Sequence, residues 1–303
     1  MTFRPALKFA ISALALATAC SAPAAPEVKS AAPVAADPAA GQRFAEQCKG
    51  KESFDDPAPP VRIFGNVWYV GTCEVTVLLL ASPKGHVLVD AATETAAPRI
   101  LANIRTAGFN PKDVRWIVSS HEHFDHVGGL ALLKHATGAK VVARTEAAAI
   151  LRSGKVSPAD PQFQEIHGFS PITPDKVIKS GQILRAGPLR LTMIATPGHT
   201  EGSTSWSWTS CEGADCRKFT YLDSISALPL GTYRFADHPD RVAMFRQTFD
   251  MIDKMDCGIV LTPHPSVSAM GERMSGSEPL MEAEDCRVIV KSARARLDTA
   301  LLP

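Results

Sequence analysis

The stretch that most constrains this chain is His121-Glu122-His123-Phe124-Asp125-His126, directly after the apolar run Trp116-Ile117-Val118 with Ser119-Ser120, and just before Gly128-Gly129. It packs four metal-ligating side chains together and uses three of the chain's 9 histidines. A strand ends here and a helix begins, so the backbone turns. Positions 121, 123, 125 and 126 can then converge on one cavity instead of alternating across a sheet. Asp125 and His126, being adjacent, cannot easily both reach an ion already held by two histidines, and this geometry points to two metals.

Two more histidines stand in similar settings. His199 follows the turn Thr196-Pro197-Gly198, and His264 lies in Leu261-Thr262-Pro263-His264-Pro265, again where a strand is expected to end. Sorted by reach, His121, His123 and His199 form one set, and Asp125, His126 and His264 a second, with room for a shared water. Three protein ligands plus solvent is the pattern of catalytic zinc. His86, His135, His167 and His238 are isolated and read as ordinary core or surface residues.

Composition narrows the function classes. With 45% hydrophobic and 21% charged residues and a formal charge of +1, the 303 residues describe a globular chain with no electrostatic footprint for nucleic acid. No apolar run reaches the roughly 20 residues a spanning helix needs. Neither GxSxG nor a Ser-x-x-Lys set with its companion motifs is present to support serine chemistry.

The N-terminus reads as an export signal, with Arg4 and Lys8 ahead of the short apolar stretch Phe9 to Ala17. Ala17-Thr18-Ala19 fits ordinary signal peptidase. Leu16 to Cys20 resembles a bacterial lipoprotein signal, in which Cys20 would carry a lipid anchor to the outer membrane. Residues 21–40 are Ala/Pro-rich and read as a tether, leaving 41–303 as the domain. Apart from Cys20, the cysteines number an even six in an exported, oxidising setting where disulfides persist. Several pairings are open; local order favours Cys48 with Cys73, Cys211 with Cys216, and Cys257 with Cys286.

Along this domain, strand-like segments at Val61–Gly71, Glu74–Ala81 and His86–Asp90 give way to a helical period over Thr93–Ala107. Val114–Ser119 and Lys140–Ala143 read as strands, Gly128–Gly138 and Thr145–Arg152 as helices, and 153–178 as an irregular Pro-rich stretch. The second half repeats the order: strands over Ile183–Ala195, Ser203–Thr209, Phe219–Leu222 and Ile259–Thr262, with helices over Pro239–Met255 and Pro279–Leu302. Strands precede helices in both halves, which predicts an α/β fold of two halves facing each other across one core.

With HxHxDH present as His121, His123, Asp125 and His126, and with the segments VLVDAAT, TPGHTEGSTSW and LTPHPS, the chain resembles the metallo-β-lactamase superfamily over nearly its whole mature length. Ser224, standing where some subclasses place a zinc-binding Cys, and the three-disulfide pattern make it most similar to the exported members of the third subclass, B3. The resemblance implies a four-layer αβ/βα sandwich, two Zn²⁺ per chain, and the two ligand sets already named. It also implies that Ser224 and Ser226 contact the antibiotic's carboxylate, that Gln162 lies in the substrate pocket, and that Asp125 orients a zinc-bound hydroxide attacking the lactam. A periplasmic monomer acting on small-molecule β-lactams is expected, with membrane contact only through Cys20. The rival is another dizinc hydrolase of the same superfamily, a lactonase or a glyoxalase II-type thioesterase, because Asp223 follows FTYL much as a metal-bridging aspartate does in those relatives.

Overall fold

Two buried sheets carry the chain, and their side chains alternate between two cores. The computed structural model describes residues 1–2, 38–280 and 286–302. The segment read as an export signal, Cys20 and most of the expected tether lie outside the described residues.

The first sheet has seven strands in sequence order: β1 Val61–Phe64, β2 Val67–Tyr69, β3 Leu78–Leu80, β4 His86–Val89, β5 Val114–Val118, β6 Lys140–Arg144 and β7 Lys176–Ile178. β1 to β4 pair antiparallel and β4 to β7 parallel. The second sheet runs β12 Ile259–Leu261, β11 Asp215–Tyr221, β10 Thr204–Glu212, β9 Leu189–Ala195 and β8 Ile183–Ala186, antiparallel except between β11 and β12.

Strand period places Leu78, Leu80, Val87, Val89 and Val118 inward, against Leu191, Met193, Trp206, Phe219 and Tyr221 of the other sheet. The intervening residues Leu79, Leu88 and Ile117 point outward, onto the helices α2 Ala97–Thr106, α4 Leu130–Thr137 and α5 Thr145–Ser153. The second sheet's outer face carries α6 Pro239–Ile252 and α8 Cys286–Ala300, packed through Phe245, Phe249, Ile252, Ile289 and Leu297 on Leu222 and Val260. Helix, sheet, sheet, helix is the four-layer αβ/βα sandwich expected. β2, β3, β4 and β12 are buried on both faces, which is why they read as apolar runs, whereas the edge strands β7 and β8 leave one face exposed.

Three shorter or terminal helices complete the fold: α1 Pro38–Cys48, the single turn α3 Phe124–Val127, and α7 Met270–Ser275. Three expectations are corrected. Val61–Gly71 is not one strand but a hairpin, because Gly65 takes a positive φ of 54° that reverses the chain between β1 and β2. The stretch 153–178 is not irregular throughout, since its last residues form the edge strand β7. Pro279 and Leu280 are not helical, and the described span of the final helix is Cys286–Ala300.

Disulfides join Cys48–Cys73, Cys211–Cys216 and Cys257–Cys286. The last, with a sequence separation of 29, fixes the start of α8 beside β12. Replacing both cysteines by alanine is expected to cost about 3–4 kcal/mol on the loop-entropy argument. Denaturant unfolding of the two forms measures it, and an unchanged midpoint would contradict it. Among the described residues no helix is long and apolar enough to cross a membrane.

Candidate metal centre

Strand ends from both sheets meet at one cavity of about 820 Å³. β5 ends into His121 and His123, and α3, the one-turn helix that follows, carries Asp125 and His126. β9 ends into the Pro197-Gly198 turn that presents His199, where Gly198 adopts a φ of 149° against the Phe245 ring and a Cβ would clash with it. β12 ends at Leu261 ahead of Pro263 and His264. His121, His123, Asp125, His199 and His264 line the cavity, while His126 is wholly buried behind them.

Ligating atoms of His121, His123 and His199 lie within 4.8 Å of one another, as do those of His121, Asp125 and His126. His264 joins from the other side, with Nε2 3.6 Å from Asp125 Oδ2 and its ring 5.0 Å from that of His126. The two sets expected from the sequence are thus brought together, with His121 adjoining both.

Each of these five imidazoles is held by one nitrogen and leaves the other facing the cluster. His121 Nδ1 donates to Asp223 at 2.8 Å and His123 Nε2 to Asp160 at 3.0 Å. His126 Nδ1 donates to Asp90 at 3.1 Å, His199 Nδ1 to the Ser226 carbonyl at 3.0 Å, and His264 Nδ1 to the Glu74 carbonyl at 2.9 Å. Carbonyls and carboxylates only accept, so these bonds fix the ring orientations and turn the second nitrogen of every ring toward the centre, as metal-binding histidines require. Among the described residues the buried His126 Nε2 has no hydrogen-bond partner of good geometry, although it lies 3.0 Å from Asp125 Oδ2. Nitrogen and carboxylate donors in this arrangement fit zinc.

Charge follows the same logic. Burial and the neighbouring imidazoles hold His121 and His199 well below the ordinary histidine range, so both are neutral and ready to ligate. Burial also opposes charge on His126, but Asp125 and Asp90 outweigh it and push its pKa up to about 10. Against the effect of its own burial, His126, His264 and His123 hold the Asp125 carboxyl below the usual range. Without metal the Asp125–His126 pair therefore keeps a proton where a cation would sit.

Several residues that hold this centre were not singled out from the sequence. Asp90 is fully buried at a φ of 65° and accepts from Ser120 N–H at 2.6 Å, Ser120 Oγ at 2.7 Å and Tyr221 OH at 2.7 Å, besides His126. Asp160 orients His123 through one oxygen and accepts the Gln162 backbone N–H through the other. Glu122 accepts from Thr200 Oγ1 and Gly202 N–H, tying the first histidine segment to the second. Arg241, buried on α6, donates to the carbonyls of Gly198 and Ala159, so one guanidinium steadies the neighbours of both His199 and Asp160. An acidic residue closing a buried apolar strand, as in Val87-Leu88-Val89-Asp90, was the one available sequence signal.

Ser224, Ser226 and Gln162 all line the cavity. Among the described residues neither serine hydroxyl has a protein partner, and Gln162 Nε2 stands 3.4 Å from His199 Nε2. Asp223 sits behind His121, accepting also from Ser224 N–H at 2.7 Å and Thr204 N–H at 3.1 Å, and belongs to neither ligand group.

Comparison with known proteins agrees with this centre. Residues 70–212 match the family model of the metallo-β-lactamase superfamily. The solved metallo-β-lactamase MIM-1 from Novosphingobium pentaromativorans is 44% identical with a TM-score of 0.83, over 86% of this chain and 97% of that one. SMB-1, solved with 2-mercaptoethanesulfonate, is 38% identical with a TM-score of 0.78, over 82% of this chain and 98% of that one. Among curated proteins, a hydroxyacylglutathione hydrolase of Mesorhizobium japonicum is 26% identical, over 67% of this chain and 72% of its own length.

Proposed function

Because the chain belongs to the metallo-β-lactamase superfamily and is a hydrolase of that fold, we propose that it is a dizinc β-lactamase that opens the amide ring of penicillins, cephalosporins and carbapenems. The observation that carries this reading is the set of five pre-oriented imidazoles with Asp125, beside a cavity whose Ser224 and Ser226 hydroxyls have no protein partner among the described residues. His121, His123 and His199 would hold one zinc, and Asp125, His126 and His264 the other. Zinc in such a site lowers the pKa of bound water to about 7 and polarises a carbonyl.

The protein's own groups do the rest. Hydrolysis joins a water oxygen to the lactam carbonyl carbon, breaks the C–N bond and leaves a proton on the nitrogen. Asp125, kept ionised by His126, His264 and His123, accepts a hydrogen bond from the attacking water, which aligns it, and the proton the water gives up ends on the lactam nitrogen. Ser224 and Ser226 donate to the substrate carboxylate, and the Gln162 amide donates to a carbonyl. Asp160 and Asp223 keep His123 and His121 from turning away. The mature chain would work as a periplasmic monomer, where its disulfides persist.

The curated hydroxyacylglutathione hydrolases favour a second reading, a thioesterase. Asp223 argues against it, because its oxygens are taken by His121, Ser224 and Thr204 instead of standing between the ligand groups. Assaying the zinc-loaded chain in parallel on a carbapenem, a cephalosporin and a hydroxyacyl-glutathione thioester separates the two. Lactam turnover well above thioester turnover is expected; thioester turnover alone would overturn the proposal.

A further inference from the structure

Beyond the metal centre, the cavity has a second wall made by α8. Val288, Ser292 and Arg296 follow one another at four-residue spacing, so they stand in one row along the helix, and all three line the cavity. The adjacent row, Ile289, Ala293 and Leu297, is buried and anchors the helix on the sheet. Disulfide Cys257–Cys286 holds the near end of α8, making this wall a rigid part of the site. The row grades from an apolar group through a small hydroxyl to a cation.

Charge accounting singles out the end of that row. The cavity-lining imidazoles, Asp125 and Asp223 are all engaged at the centre. Arg296 is exposed and, among the described residues, has no hydrogen-bond or ion-pair partner, unlike its helix neighbour Arg294, which is bound by Asp250 and Asp253. The remaining cavity-lining charge is Glu165, from the loop that carries Gln162. Leu228 and Val267 add apolar surface to the same cavity.

We infer that the Val288–Ser292–Arg296 row is a side-chain subsite that favours β-lactams whose acyl substituent combines an apolar body with a second carboxylate, received by the Arg296 guanidinium. This rests on the lactamase reading above. The serines are matched to the ring carboxylate that every such substrate carries, which leaves Arg296 for an anion that only some carry. A guanidinium suits it because its planar fork meets a carboxylate through two parallel hydrogen bonds. Glu165 sets a limit, since a substituent that brought its carboxylate to that loop would be repelled.

Carbenicillin and benzylpenicillin differ by one side-chain carboxylate and make the test. With zinc-loaded protein, Arg296→Gln is expected to raise the carbenicillin-to-benzylpenicillin KM ratio about threefold, the size of an exposed ion pair, and Arg296→Glu to raise it further. The wild-type preference should fade in about 1 M salt. Lys291→Gln, which removes an α8 cation outside the cavity, should leave the ratio as in the wild type. A ratio unchanged in both Arg296 variants, or moved equally by Lys291→Gln, would overturn the subsite. If the wild type turns over neither penicillin, the lactamase reading has failed separately. Calorimetric binding of the two intact penicillins then decides: a carbenicillin preference lost in Arg296→Gln supports the subsite, and equal or absent binding overturns it.

Discussion

Asp125→Ala is expected to lower lactam turnover by about 10²–10³-fold or more, the scale on which a single group aimed at the reacting atoms acts. Asp125 is the one carboxylate in the centre whose oxygen faces two imidazole nitrogens, at 3.0 Å from His126 and 3.6 Å from His264. On the proposed mechanism, alanine removes a ligand and the acceptor that aligns water in one step. Metal analysis beside kinetics separates the two roles. Loss of part of the zinc with loss of turnover is the expected pair, and full turnover with wild-type zinc content would contradict both.

The second large effect is at Asp90. Its carboxylate takes four hydrogen bonds, from Ser120 twice, Tyr221 and His126, with no solvent to replace it. Asp90→Ala would leave those donors buried and unpaired, at a cost of about 3–5 kcal/mol by analogy with breaking a buried charged pair. It would also free His126 to rotate, and the loss of such an outer partner typically weakens metal binding by about 10–100-fold. Urea unfolding and a zinc titration against a chromophoric chelator measure the two separately. A variant with unchanged midpoint and unchanged zinc affinity would show that Asp90 is incidental.

How much of this was legible in the chain differs by residue. His121 to His126 stood out because ligands crowd a strand end, and His199 and His264 because Pro and Gly force turns where apolar runs stop. Their common destination followed from pattern alone. Asp90 and Asp160 did not stand out, since a carboxylate that orients an imidazole 36 or 37 residues away leaves no local spacing. Asp223 could be named but not placed; its position behind His121 depends on the Thr204 amide reaching it from the neighbouring strand β10, beside the amide of its own chain neighbour Ser224.

Fold elements show the same division. Strands such as Leu78–Leu80 were visible as apolar runs, and the helix expected over Pro239–Met255 forms over Pro239–Ile252. The first helix was masked by its Ala/Pro-rich approach, and β7 by being three residues long beside a Pro-rich loop. Both depend on tertiary packing more than on propensity.

Zinc-dependent opening of a carbapenem ring by the purified chain tests the account most directly. Hydrolysis that is abolished by a chelator and restored by zinc, reaching its plateau at two equivalents per chain, is the predicted result. A chain that binds two zinc ions in this centre and leaves carbapenem and cephalosporin rings intact would contradict it.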